Sequence, residues 1–164
     1  MLVAPDSLDK AGWNLQADGP EFLRQVIEAV VAGGGIDGRR MYLFGHSAGG
    51  HQALDIALLE SEYFAAAAVH AGVLTDPGMI LPRADRKIPL AMWNGTADQI
   101  VPIDMARSTL ALLKARGFPA ALTEMPGHTH DYYGSAGQVN AAAWQMLKTE
   151  KLDADPKFKT YQFK

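Results

Sequence analysis

The run Met41-Tyr42-Leu43-Phe44-Gly45 passes without a break into His46-Ser47-Ala48-Gly49-Gly50, and no other stretch restricts the folding of this chain so tightly. A short continuous apolar run suits a strand buried on both faces. The residues that follow, with Leu54, Ala57 and Leu58 on one side, suit a helix beginning near Ala48. Only a sharp strand-to-helix turn fits between the two, with Ser47 at its apex and a glycine two residues to either side. Such a turn strains the serine backbone, and side chains at the two glycine positions are expected to clash. It also lifts the Ser47 hydroxyl clear of the sheet and aims the Ala48 N–H, at a helix N-terminus, into the same space. A plain helix N-cap at Ser47 is the blander alternative, but N-caps do not require flanking glycines.

The rest of the chain repeats this rhythm of short apolar runs and longer helix-period runs. Leu2-Val3-Ala4-Pro5 reads as a brief strand stopped by proline. Pro20 suits a first helical turn, and Phe22, Val26, Ala29 and Val30 continue a helix over residues 20–32 that Gly33-Gly34-Gly35 ends. Strands are expected at 65–72, 90–95 and 121–125. Ile103, Ala106, Leu110 and Leu113 trace one further helix, closed by Gly117 and Pro119, and Val139, Ala142, Ala143, Met146 and Leu147 trace the last. The alternation predicts an α/β fold, a mostly parallel sheet with helices on both faces. Residues 1–150 are expected to form one domain, with 151–164 as a loosely held tail carrying Lys151, Lys157, Lys159 and Lys164.

Composition narrows the function classes. With 15 Lys and Arg against 18 Asp and Glu, the net charge is −3, which gives no pull toward nucleic acid or anionic lipid. The absence of cysteine excludes disulfides, thiolate metal sites and a cysteine nucleophile. The longest largely apolar stretch, FAAAAVHAGVL, is too short to span a bilayer. The opening MLVAPDSLDK lacks the basic-then-apolar pattern of a secretion signal, so a cytoplasmic protein is the default expectation.

A serine nucleophile needs a base, and the base needs a partner that fixes its tautomer. His46 and His51 belong to the turn region. His70 ends a strand and reads as a satisfied structural histidine. His128 and His130 lie in the loop Pro126-Gly127-His128-Thr129-His130-Asp131, after the last expected strand. No cysteine or carboxylate cluster completes a metal site around them, so neither metal nor cofactor is expected. For the acid, Asp98 leaves the end of a strand in Asn94-Gly95-Thr96-Ala97-Asp98, with an Asx turn as its plainer role. Asp104 suits a helix N-cap, and Asp76 suits a turn. Serine, acid and histidine thus follow one another in the order Ser…Asp…His, each in a loop at the same end of a parallel sheet. Trp93, Tyr132 and Tyr133 are candidates for lining a substrate pocket, with core packing as the alternative.

Leu-Val-Ala-Pro-Asp-Ser at 2–7, Gly12-Trp13, the block from Ile36 to Gly50, Gly-Thr-Ala-Asp-Gln-Ile-Val-Pro at 95–102 and Pro-Gly-His-Thr-His-Asp-Tyr-Tyr at 126–133 together resemble α/β-hydrolase serine esterases. The similar branches are the phospholipase/carboxylesterase, dienelactone-hydrolase-like and polyhydroxybutyrate-depolymerase or feruloyl-esterase-like groups. The resemblance implies Ser47 as nucleophile, Asp98 as acid, and His130 as base because an aromatic follows after one intervening residue. His128, directly after Gly127, stays as the alternative base. Ala48 is expected as an oxyanion donor from the turn itself, His46, Trp93 and Tyr132 are expected as substrate contacts, and the resemblance implies a small-molecule ester as substrate.

These enzymes also carry three earlier strands and an H-G-x-G-like loop that supplies a second oxyanion donor, which this sequence does not show. The chain is therefore expected to be the C-terminal catalytic portion of a longer hydrolase. Residues 2–5 would then pair directly with 41–45, reorder the sheet, or leave an apolar edge through which copies of the chain could associate. A prolyl-oligopeptidase-type peptidase, and a non-catalytic remnant serving as an interaction protein, are the rival expectations.

Overall fold

In the computed structural model, which describes residues 1–160, four short apolar runs pair in sequence order into one parallel sheet. The strands are β1 (Tyr42–His46), β2 (Ala66–His70), β3 (Leu90–Gly95) and β4 (Ala120–Met125). Parallel neighbours require long return connections, and helices supply them. The helices are α1 (Pro20–Val31), α2 (Ala48–Leu59), the single turn α3 (Pro77–Ile80), α4 (Ile103–Ala115) and α5 (Ala136–Leu147).

The register of β2 explains its alanine-rich composition. Ala67 and Val69 face a large core built from Leu54, Ile56, Leu58, Leu90, Met92 and Leu113, on which Leu23 and Ile27 of α1 also pack. Ala66 and Ala68 face the other way, beside Ala91, against Ala143 and Leu147 of α5. Small side chains there let α5 sit close to the sheet, while α1, α2 and α4 cover the opposite face. Each fully buried aliphatic or aromatic side chain of the larger core, such as Phe64 or Ile56, contributes about 1.5–3 kcal/mol.

The alternating pattern is therefore realised as an α/β fold with helices on both faces, but several local expectations fail. Residues 2–5 form no strand, and Leu2 is 92% exposed. Of the three arrangements considered for the sheet edge, the structure shows the open one: β1 pairs only with β2 among the described residues, and its Phe44 is half exposed. Pro5 and the absence of a neighbouring strand leave that short run with nothing to join. Helix α2 is buried all round rather than on one side, including Gln52 and Asp55. Asp104 lies within the first turn of α4, paired with Arg107, and Pro102 holds the N-cap position.

The expected loose attachment of the segment from 151 also fails over 151–160. Leu152 is buried and its N–H donates to the Arg39 carbonyl, while Phe158 packs edge-on against Tyr63. Two apolar anchors outweigh the surrounding lysines. Residues 161–164, with Lys164, lie outside the described residues.

Candidate active site

The turn after β1 is dictated by close approach of backbone to backbone. A Cβ on Gly45 would lie 2.1 Å from the Gly49 carbonyl oxygen, so only glycine fits there. At Gly49 a Cβ would meet only the Trp13 indole at an ordinary 3.7 Å, so the expected clash holds on one side of the turn alone. Ser47 has φ +53° and ψ −123°, a conformation that L-residues avoid. Its backbone is held there from both directions: its N–H donates to the His70 carbonyl, and its carbonyl accepts from the His51 N–H. The Ser47 side chain makes no capping bond, which removes the N-cap alternative. Ala48 opens α2, where a backbone N–H has no intrahelical acceptor and points outward from the helix end.

Two later loops deliver the partners. His130 Nε2 lies 2.8 Å from Ser47 Oγ, and His130 Nδ1 lies 2.8 Å from Asp98 Oδ2. The Asp98 side chain is fully buried. Its Oδ1 accepts from the N–H groups of Ile100 and Val101, each at 2.8 Å, so the Asx turn and the histidine partnership are both present, one on each oxygen. Burial alone would raise the Asp98 carboxyl; the Val101 N–H, His130 and the Ile100 N–H outweigh it and hold the group below the ordinary carboxylate range. Asp98 is therefore ionised at neutral pH and fixes His130 with its proton on Nδ1, leaving the Nε2 lone pair for the serine proton.

The loops are stitched to each other as well. Ala97 N–H donates to the His128 carbonyl, and Gly127 N–H donates to Thr96 Oγ1. A Cβ on Gly95 would collide with the His128 carbonyl oxygen, so the glycine lets the histidine loop close over the end of β3.

The other candidates fall in different places. The His128 ring is turned toward Ser135, with Nε2 3.4 Å from Oγ, and stands edge-on to His70 at 5.4 Å. His51 accepts the Val73 N–H and serves the backbone. Trp93 packs in the alanine-lined layer beneath α5. Tyr132 stacks on His46 with ring centroids 5.0 Å apart and an interplanar angle of 14°, and its hydroxyl donates to Asn140. Tyr133 is exposed. A groove of about 550 Å³ between β4 and the start of α5 has His128 and Ser135 in its wall but none of Ser47, Asp98 or His130.

Residue-type reasoning missed one relationship. His70 is fully buried and is not a satisfied structural histidine: its Nδ1 meets His46 Nδ1 at 2.9 Å, and its Nε2 has no hydrogen-bond partner among the described residues. The available signal was positional, since His46 and His70 each close an apolar run and become register partners once the strands are adjacent.

Sheet, turn and loop order define the class: the chain has an α/β-hydrolase fold. Residues 21–80 match the prolyl oligopeptidase family. Among solved structures, esterase PE8 superposes with a TM-score of 0.64 at 23% identity, over 86% of this chain and 67% of that one. SOBER1 of Arabidopsis thaliana gives 0.64 at 20% identity, over 80% and 62%. The acylaminoacyl peptidase of Pyrococcus horikoshii gives 0.64 at 16% identity, over 88% of this chain but 29% of that protein. The chain thus spans about two thirds of the length of esterase PE8 and less of the other two. No curated protein matches its sequence. No helix among the described residues is long and apolar enough to cross a membrane.

Proposed function

We propose that the chain is a serine hydrolase that cleaves carboxylic esters through an acyl-enzyme on Ser47. The observation that carries this reading is the unbroken hydrogen-bonded line from Asp98 through His130 to a serine hydroxyl held on a strained turn. Ser47 Oγ attacks the ester carbonyl as His130 Nε2 takes its proton, and Asp98 stabilises the resulting imidazolium. The Ala48 N–H donates to the developing oxyanion. Collapse of the tetrahedral intermediate expels the alcohol, which leaves with the proton from His130. Water then attacks the acyl-enzyme, gives its proton to His130, and frees the carboxylic acid with Ser47 restored. No redox step or external group carrier enters this sequence.

Incubation with a fluorophosphonate followed by mass spectrometry tests the nucleophile, and turnover of p-nitrophenyl acetate tests the ester reaction. An adduct on Ser47 with ester turnover supports the reading; a folded protein that gives neither overturns it in favour of a non-catalytic hydrolase fold.

A peptidase is the second reading, favoured by the match of residues 21–80 to the prolyl oligopeptidase family. The same Ser47, His130 and Asp98 would act on an amide, with His130 protonating the amine as it leaves. A prolyl anilide turned over faster than p-nitrophenyl acetate would favour it.

A further inference from the structure

Beneath the His130 loop lies a second pair of imidazoles that the acyl-transfer steps do not use. His46 and His70 end neighbouring strands, and their Nδ1 atoms are 2.9 Å apart. One hydrogen bond between two nitrogens of the same kind holds one proton, so one ring donates and the other accepts. The surroundings decide which. His70 Nε2 is buried with no partner among the described residues, and a buried N–H without an acceptor is rarer and costlier than a buried lone pair. The proton of His70 therefore sits on Nδ1 and is donated to His46, whose own proton must then be on Nε2. The tautomers of both rings follow from one orphaned atom.

His46 in turn lies against the machinery. Its ring is stacked on Tyr132 and sits 4.9 Å from the His130 ring. Tyr132 is in the same loop as His130 and is tied to α5 through Asn140. We propose that His46 and His70 are positioning residues: a tautomer-locked, uncharged pair that seats the His130 loop and keeps positive charge away from the imidazolium formed in each turnover. This inference rests on the hydrolase reading for its catalytic consequence, though not for the tautomers.

The groups around the pair act in a consistent direction. His46 faces His70 from β2 and His130, Asp131 and Tyr132 from the loop after β4, with Asp98 behind His130; His70 also faces His128. Burial first, then repulsion from His130, lowers the tendency of His46 to take a proton, with only partial relief from a hydrogen bond to the His70 backbone and from Asp98 and Asp131. Burial, then repulsion from His46, His128 and His130, lowers His70 to about 4. The lock adds a further barrier. A proton arriving on His46 Nδ1 would face the His70 N–H head-on, and His70 could yield only by burying an unpaired Nε2–H.

The experiment combines imidazole ¹⁵N NMR with kinetics on the intact chain. In the wild type, the ¹⁵N shifts should report His70 as the Nδ1–H tautomer and His46 as the Nε2–H tautomer, with no titration of His70 between pH 5 and 8 and His46 titrating below the ordinary imidazole range. The acid limb of the kcat/KM profile for p-nitrophenyl acetate should be a single-proton limb. His70→Leu removes the donor, so His46 should titrate at higher pH and the acid limb should steepen toward two protons and move up by roughly half a pH unit or more. His46→Phe keeps a ring on Tyr132 without a titrating group; it should keep the single-proton limb with a loss in kcat/KM of less than about tenfold. The double variant should restore the single-proton limb.

Titration of His46 near pH 6.5 in the wild type, or an acid limb indifferent to His70→Leu, overturns the proposal. If His70→Leu does not fold, the wild-type tautomers and the His46→Phe profile decide. A wild type that takes up no fluorophosphonate sinks the hydrolase reading instead, and the NMR assignment of the pair still stands or falls by itself.

Discussion

Gly95 and His128 touch backbone to backbone: a methyl group on the Gly95 α-carbon would come within 2.1 Å of the His128 carbonyl oxygen. That approach sets the height of the histidine loop over β3, because the His128 carbonyl also accepts the Ala97 N–H next to Asp98. Gly95→Ala therefore forces the loop outward without altering any of the three hydrogen-bonded side chains, Ser47, His130 and Asp98. Displacements of about 1 Å in such relays cost on the order of a hundredfold in rate. The expected outcome is a loss of that size in kcat/KM for p-nitrophenyl acetate, with a folded protein by circular dichroism. His128→Asn, which leaves the backbone contact in place, should keep most of the activity.

Asp98→Asn tests the tautomer argument. The amide oxygen can still accept from Ile100 and Val101, so the loop turn survives. The amide nitrogen then faces His130 as a donor, and His130 must accept on Nδ1 and carry its proton on Nε2, where the serine proton should go. A fall in kcat on the order of ten-thousandfold is expected, together with loss of fluorophosphonate labelling at Ser47. Preserved labelling rates would show that His130 acts without Asp98.

Much of this was legible before any coordinates. That Ser47, Asp98 and His130 come together was legible because the turn needs glycine, the strands are continuous apolar runs, and the three groups follow one order along the chain. What escaped was whatever depended on a neighbour. Residues 2–5 have the composition of a strand, but pairing needs a partner edge, and composition does not supply one. The register that joins His46 to His70 exists only once β1 and β2 are side by side. The lysines after 151 read as a solvated tail because Leu152 and Phe158 are single apolar residues, and only the burial of Leu152 and the contact of Phe158 with Tyr63 show them to be anchors.

Ser47→Ala should abolish ester turnover and labelling while leaving the thermal midpoint nearly unchanged, since among the described residues the hydroxyl bonds only to His130. Ser47→Gly separates strain from chemistry. At φ +53° a Cβ is costly, by roughly 1–3 kcal/mol; glycine removes that cost but gives back about 0.5–1 kcal/mol through the entropy of the unfolded chain. The glycine variant is thus expected to be about 1 kcal/mol more stable than the alanine variant in urea unfolding, and equally inactive. Equal stability would mean that the turn carries no strain.

Glu60, at the end of α2, gives the last prediction. Its Oε2 accepts the Lys159 N–H and so docks the C-terminal segment, while its buried Oε1 has no partner among the described residues. Burial raises its carboxyl to about 7, against the opposing pull of the Lys159 N–H and ammonium. The sign follows from proton binding. Between about pH 4.5 and 7 the folded protein keeps a proton that the unfolded chain has released, so this group's contribution declines as pH rises through that window, by up to about 3 kcal/mol. Glu60→Gln removes the titration. His70, lowered to about 4, contributes in the opposite sense over a similar range, so the wild-type curve alone is a poor readout. The difference between Glu60→Gln and wild type isolates the carboxylate: it should move steadily in favour of the variant as the pH is raised from 4.5 to 7, then level off. Urea unfolding at five pH values measures it, and a pH-independent difference would show that Glu60 is not titrating in that window.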